Sequence, residues 1–192
     1  MHSRPYKWAL RNFIPYVRFT TYYTEMRGIK YHEGYKKLLP GDIIVTNDRK
    51  KLTSLLIPGE FSHAALCISK DQKWEISEMT HTDYTKSAFF DICKESDRVV
   101  ILRCDVWKKS YVLEVIKKCK GFVDAKYDQE FELGVEALYC SELVYMADFK
   151  KLLDVNLDDL AGLGRLYLSP DGLFKAKNVK IIWDSDKSNA KV

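Results

Sequence analysis

The chain has 192 residues, 46% of them hydrophobic and 30% charged, with only 9 Gly and 5 Pro. Those proportions fit one globular domain and exclude collagen-like, low-complexity and disordered classes. The net charge is +4, no apolar run is long enough to span a bilayer, and the basic N-terminus lacks the h-region of a secretory signal, so a cytoplasmic protein is expected.

In chain order, residues 1–37 read as a basic, aromatic helical arm. Residues 1–40 hold eight Lys/Arg against two acids, with nine of the 25 aromatics, so the other 152 residues are net −2. Helix-like apolar spacing runs over 8–27, with Pro15 starting or kinking the helix. Such an arm either packs its aromatics on the core with basic heads solvated, or lies on an anionic membrane surface. Membrane contact is therefore a candidate partner mode, and no nucleic acid partner is expected.

After the arm, "LLPGDIIVT" (38–46) turns at Pro-Gly into a β-branched strand. A polar loop (48–56) leads to two short strands, "FSHAALCIS" (61–69) and "KWEISEM" (73–79), followed by the polar stretch "THTDYT" that carries His81. "RVVILRC" (98–104) is a further strand. Residues 106–120 show helical spacing and stop at Gly121, a C-cap. An irregular loop covers 121–137, a helix 141–153, and the chain ends in a turn, a short helix and a last strand. No repeat or linker divides it. An α+β domain at 38–185, with helices on a mostly antiparallel sheet and a polar tail at 186–192, is the simplest outcome.

Five cysteines, at 67, 93, 104, 119 and 140, form no CxxC pair. An odd count without pairs argues against a disulfide framework and a zinc knuckle, and favours a reducing compartment. No metal or cofactor is expected, since His63 and Cys67 would stand ~13 Å apart along a strand.

Strand alternation puts His63 on one face with Ala65 and Cys67, and Ala64, Leu66 and Ile68 on the other. In the next strand Glu78 shares an apolar face with Trp74 and Ile76, whereas Glu75 shares its face with Ser77. A carboxylate on an apolar face needs a partner, and His63 on the adjacent strand is within cross-strand reach. Cys140 lies where a loop enters the helix "SELVYMADFKKLL". Unpaired N–H groups and the helix dipole stabilise a thiolate there. The residue types therefore allow Cys140 as nucleophile, His63 as base and Glu78 as orienter. They equally allow Cys140 as a small core hydrophobe and His63 as a satisfied structural residue.

Six pieces in this order resemble the permuted branch of the NlpC-type papain-like cysteine hydrolases, which includes YiiX-like bacterial proteins and poxvirus homologues. They are "PGDIIVT" (40–46), "FSHAALCIS" (61–69), "ISEM" (76–79), "KYDQEF" (126–131), "YCSELVY" (139–145) and "SPDGLF" (169–174). The resemblance implies a circularly permuted papain-like (NlpC-type) fold in which the His strand precedes the Cys helix. It implies a Cys140–His63–Glu78 triad and a cysteine hydrolase cleaving an amide (peptide, cell-wall peptide or N-acyl) through an acyl-enzyme. Tyr127 matches the family's "YD" tyrosine, implying a residue that lines the site or supports the oxyanion. The substrate implied is a peptide or an acylated small molecule. Lipid-acyl thioester chemistry on the same residues, or a non-catalytic binding module, are the alternatives. "EMTHTDY" departs from the family pattern by lacking its glycines, which leaves the loop after Glu78 without a template.

Overall fold

A computed structural model of the chain describes residues 28–48, 59–70, 72, 73, 75–131, 133, 134, 137–159 and 166–187, together with 8, 17 and 26. Most of the expected arm, including the helical pattern over 8–27, therefore lies outside the described residues, as does most of the polar loop at 48–56.

A six-stranded sheet organises the rest. Its strands, in chain order, are β1 (Ile43–Asn47), β2 (His63–Cys67), β3 (Ile76–Thr80), β4 (Asp83–Ser87), β5 (Arg98–Cys104) and β10 (Val179–Asp184). The spatial order is β10-β5-β1-β2-β3-β4, and each neighbouring pair is antiparallel. β1 and β5 are apolar on both faces, because the sheet is covered on both sides. On one face, Val45, Ala64, Leu66, Met79 and Leu102 pack with helices α3 (Lys109–Lys120), α4 (Cys140–Ala147) and α5 (Pro170–Phe174). On the other, Ile44, Ala65, Cys67, Ile76 and Ile101 pack with α1 (Ile29–Lys37) and α2 (Phe89–Glu95). α1 approaches β10 closely: a Cβ on Gly34 would stand 2.9 Å from the Trp183 ring. Two-residue pairings complete the frame: β6 (Lys126–Tyr127) runs parallel to β7 (Ala137–Leu138), and β8 (Asp158–Asp159) antiparallel to β9 (Leu166–Tyr167). Among the described residues no helix is long and apolar enough to cross a membrane.

Three expectations need correction. The helix expected over 141–153 ends at Ala147, because the buried Asp148 carboxylate accepts the Leu153 N–H (2.7 Å) and the Tyr111 hydroxyl (2.5 Å), turning the chain back. The helix expected from 106 begins at Lys109, with Val106 and Trp107 in the preceding turn. Finally, the polar stretch after Glu78 folds into the edge strand β4, followed by α2. Its alternation is invisible in sequence because most of β4 is half-exposed.

Candidate functional site

The site forms at the end of the sheet where β2 begins. β2 and β3 pair from Cys67–Ile76 only as far as Ala65–Glu78. The register ends at that pair, and α4 brings its first residue, Cys140, to the opening. Leu143, Val144 and Ala147 anchor the helix in the core beside Ala64 and Leu66. Continuing the ladder would give the Ala64 N–H to a β3 carbonyl; here it lies near the Cys140 sulfur, and together with the Ser141 N–H it favours the thiolate.

His63 joins the two sides. Its Nε2 lies 2.7 Å from Glu78 Oε2, and the imidazole also hydrogen-bonds Cys140, which leaves Nδ1 for the sulfur. The Cys140 side is 3% exposed and the imidazole keeps a quarter of its surface open to solvent. Burial raises the thiol's pKa, yet the hydrogen bond and charge of His63 with the two backbone N–H groups outweigh it, and the thiol lies below its ordinary value. Burial lowers the imidazole's pKa, but its bonds to Cys140 and Glu78 carry it well above the usual range. Both shifts favour a thiolate–imidazolium pair. By contrast, burial pushes Cys67 and Cys119 up to about 12 and also raises Cys93 and Cys104.

Glu78 sits opposite Ala65, two residues from His63, and so reaches the imidazole diagonally across the strands. Its other oxygen, Oε1, accepts the Ser87 hydroxyl from β4. Glu75 does not enter this site. It faces α1 and α2, accepting the Tyr35 hydroxyl at 2.6 Å and the Phe89 N–H at 3.2 Å.

Two devices fix α4 around its first residue. The peptide of Leu168 is held from both ends, its N–H donating to the Tyr139 hydroxyl (2.9 Å) and its carbonyl accepting from the Ser141 hydroxyl (2.6 Å). Two residues further on, the fully buried Glu142 accepts the Gly134 N–H at 2.7 Å and reaches back toward the Tyr139 N–H at 3.4 Å. Burial raises its carboxyl pKa to about 7 against those bonds.

Upstream of His63, Asp171 in the "SPDGLF" stretch accepts the N–H groups of Glu60 (2.9 Å) and Phe61 (2.8 Å). It aligns the segment that enters β2. Gly59 makes this possible: its φ is +118°, and a Cβ there would meet the Asp171 carboxyl at 2.7 Å.

Tyr127 is half-buried on β6, opposite Leu138 and hence two residues from Cys140 in register. Burial, and next the Cys140 charge, raise its phenol far above the ordinary value, so the ring stands within electrostatic reach of the sulfur. The structure therefore gathers Cys140, His63 and Glu78 into one hydrogen-bonded chain, with Tyr127 nearby. Ser87 and the Ala64 N–H escaped sequence reasoning. Finding Ser87 required knowing that β3 and β4 form a hairpin, and the turn His81-Thr82 lacks the glycine that usually announces one.

The family described as permuted papain-like amidase enzyme, YaeF/YiiX, C92 family, matches residues 37–189. No curated protein matches the chain. Among solved structures, the crystal structure of the metalloprotein yiiX from Escherichia coli O157:H7 is similar with a TM-score of 0.64 and 16% identity, covering 76% of this chain and 96% of that one. At that identity the likeness speaks for the fold. The word metalloprotein belongs to that relative; among the described residues here, no group of three or more His, Cys, Asp or Glu is placed to hold a metal ion. The Cys-bearing helix following the His-bearing strand, on an antiparallel sheet, is the permuted papain-like arrangement, and with the family match across most of its length the chain belongs to this family of permuted papain-like amidases.

Proposed function

We propose that the protein is a cysteine hydrolase that cleaves an amide bond, in a peptide, a cell-wall peptide or an N-acyl compound, through an acyl-enzyme on Cys140. The observation that carries the reading is the placement of His63 between Cys140 and Glu78, with Cys140 the described cysteine whose thiol is acidified. In this mechanism the Cys140 thiolate attacks the carbonyl carbon. The resulting oxyanion is stabilised at the start of α4, where backbone N–H groups and the helix dipole converge, with Tyr127 as a supporting donor. His63, as imidazolium, gives its proton to the leaving amine as the C–N bond breaks. The neutral imidazole then takes a proton from water, hydroxide attacks the thioester, and the carboxylic acid leaves as the thiolate is restored. Glu78, steadied by Ser87, keeps the ring oriented and favours its protonated form.

Intact-mass analysis after incubation with peptidyl and N-acyl p-nitroanilides, and with acyl thioesters, tests this. The expected result is a transient acyl adduct on Cys140 formed from an amide in the wild type, caught by acid quench, and none in His63→Ala, which loses both the partner of the thiolate and the acid for the leaving amine. Adducts from thioesters alone would move the substrate class to thioesters. Adducts on other cysteines, or none, would remove Cys140 as the nucleophile.

A further inference from the structure

The hairpin β3–β4 bears Glu78 on one strand and Ser87 on the other, and its tip carries a backbone outlier. Asp83 has φ +77°, a left-handed conformation that favours glycine and costs a non-glycine residue energy. A glycine would form this turn with less strain, so the side chain has to account for the aspartate. Its carboxylate leaves the hairpin and reaches β6: Oδ1 accepts the Tyr127 N–H at 3.0 Å, and Oδ2 pairs with Lys126 Nζ at 3.0 Å.

β6 needs such support. It is two residues long and pairs with an equally short β7, secured on that side by the Asp128 N–H to the Leu138 carbonyl at 3.0 Å. So short a pairing is a weak positioner by itself. On the hairpin side the Tyr84 N–H reaches the Ala125 carbonyl at a long 3.4 Å, which makes the Asp83 bond the shorter attachment. That bond is charge-assisted, the stronger kind. The Lys126 ammonium is largely exposed and contributes little.

We propose that Asp83 is a positioning residue that clamps the Tyr127 backbone and thereby holds Tyr127 in register beside the segment that leads into Cys140. The proposal rests on reading Cys140 as the reactive thiol. One hairpin then aligns both sides of the site: Glu78 and Ser87 set the imidazole, and Asp83 sets the tyrosine across from it.

The test measures iodoacetamide alkylation of each cysteine by mass mapping in the full chain, with Asp83→Gly, Asp83→Asn and Lys126→Ala on wild-type and Tyr127→Ala backgrounds. Asp83→Gly keeps the turn conformation and removes the acceptor. It should change the Cys140 rate about 5-fold or more on the wild-type background and less than about 2-fold on Tyr127→Ala, since a residue acting through another loses its effect when that other is gone. Asp83→Asn, which retains Oδ1 but not its charge, should restore most of the wild-type rate, and Lys126→Ala should leave it unchanged. An Asp83→Gly effect that persists on the Tyr127→Ala background overturns the proposal, as does an Asn variant no better than Gly. So does a rise at Cys67, Cys93, Cys104 and Cys119 in step with Cys140, which would make Asp83 merely structural. Alkylation needs no substrate, so the outcomes separate. The Asp83–Tyr127 coupling in a chain that hydrolyses no amide keeps this proposal and removes the hydrolase reading; hydrolysis without the coupling does the reverse.

Discussion

Glu142→Gln isolates the energetic cost of burying a carboxyl two residues after Cys140, in the first turn of α4. Glu142 is fully buried at the start of α4 and accepts the Gly134 N–H at 2.7 Å. Its carboxyl is raised from 4.5 to about 7, with burial as the leading cause. A raised carboxyl binds its proton more tightly in the folded chain than in the unfolded one. Its contribution is therefore fully present below the unfolded value and is lost as pH rises through the folded value. The difference of about 2.5 pH units, at roughly 1.36 kcal/mol each, amounts to about 3 kcal/mol. Glutamine keeps an acceptor for Gly134 and cannot ionise. Urea unfolding of both proteins at pH values of about 4.5, 6 and 8 should show the wild type losing about 3 kcal/mol relative to Glu142→Gln across that range. Other titrating groups, His63 and Cys140 included, are common to both proteins and cancel in the difference. A pH-independent difference, or a wild type that gains stability as pH rises, would refute the reasoning.

The two glutamates of the "EISEM" stretch should separate by readout. Glu78→Gln removes the charge beside His63 and should lower amide hydrolysis by about 10²-fold, whereas Glu75→Gln weakens the Tyr35 and Phe89 contacts and should cost about 1–2 kcal/mol of stability with little change in turnover. Equal kinetic effects in a p-nitroanilide assay would contradict this division. Further from the site, Arg98 donates to both Asp184 oxygens, at 3.1 and 2.7 Å, and also reaches Glu60 in the segment leading to β2. Asp184→Asn should destabilise by about 3 kcal/mol near neutral pH in chemical denaturation. Burial opposes ionisation of Asp184, but the bonds from Arg98 hold its pKa below 3.8. That stabilisation is present above 3.8 and is lost as pH falls through the folded value, so the gap between variant and wild type should close in acid. A gap that widens in acid would overturn the assignment.

How much of this was readable from sequence depends on what each residue answers to. β1 and β5 are buried on both faces, so their apolar runs declare them. Strand alternation favours Glu78 over Glu75 as the partner of His63, but not for the right reason at Glu75: that residue precedes β3 and turns to Tyr35 and Phe89, on the side where Ile76 packs, instead of sharing a face with Ser77. β4 gave no such signal: as an edge strand, most of it is half-exposed, and its turn uses Asp83 in a conformation that a glycine would have advertised. Ser87 and Asp83 were hidden with it. The end of α4 was lost for another reason. Apolar spacing continues to Leu153, but a buried aspartate redirects the backbone at 148, and propensity does not register a tertiary hydrogen bond. The Ala64 N–H could not have been found either, because it depends on where two strands stop pairing.

The central claim is that His63 and the α4 terminus make Cys140 a thiolate near neutral pH. Its most direct test is the pH profile of Cys140 alkylation in wild type and His63→Ala, read by mass mapping. The account predicts a wild-type rate that reaches its plateau at lower pH than an ordinary thiol, and a His63→Ala profile shifted to higher pH. Superimposable profiles, or a wild-type Cys140 that reacts only above a pH of about 8, would contradict it.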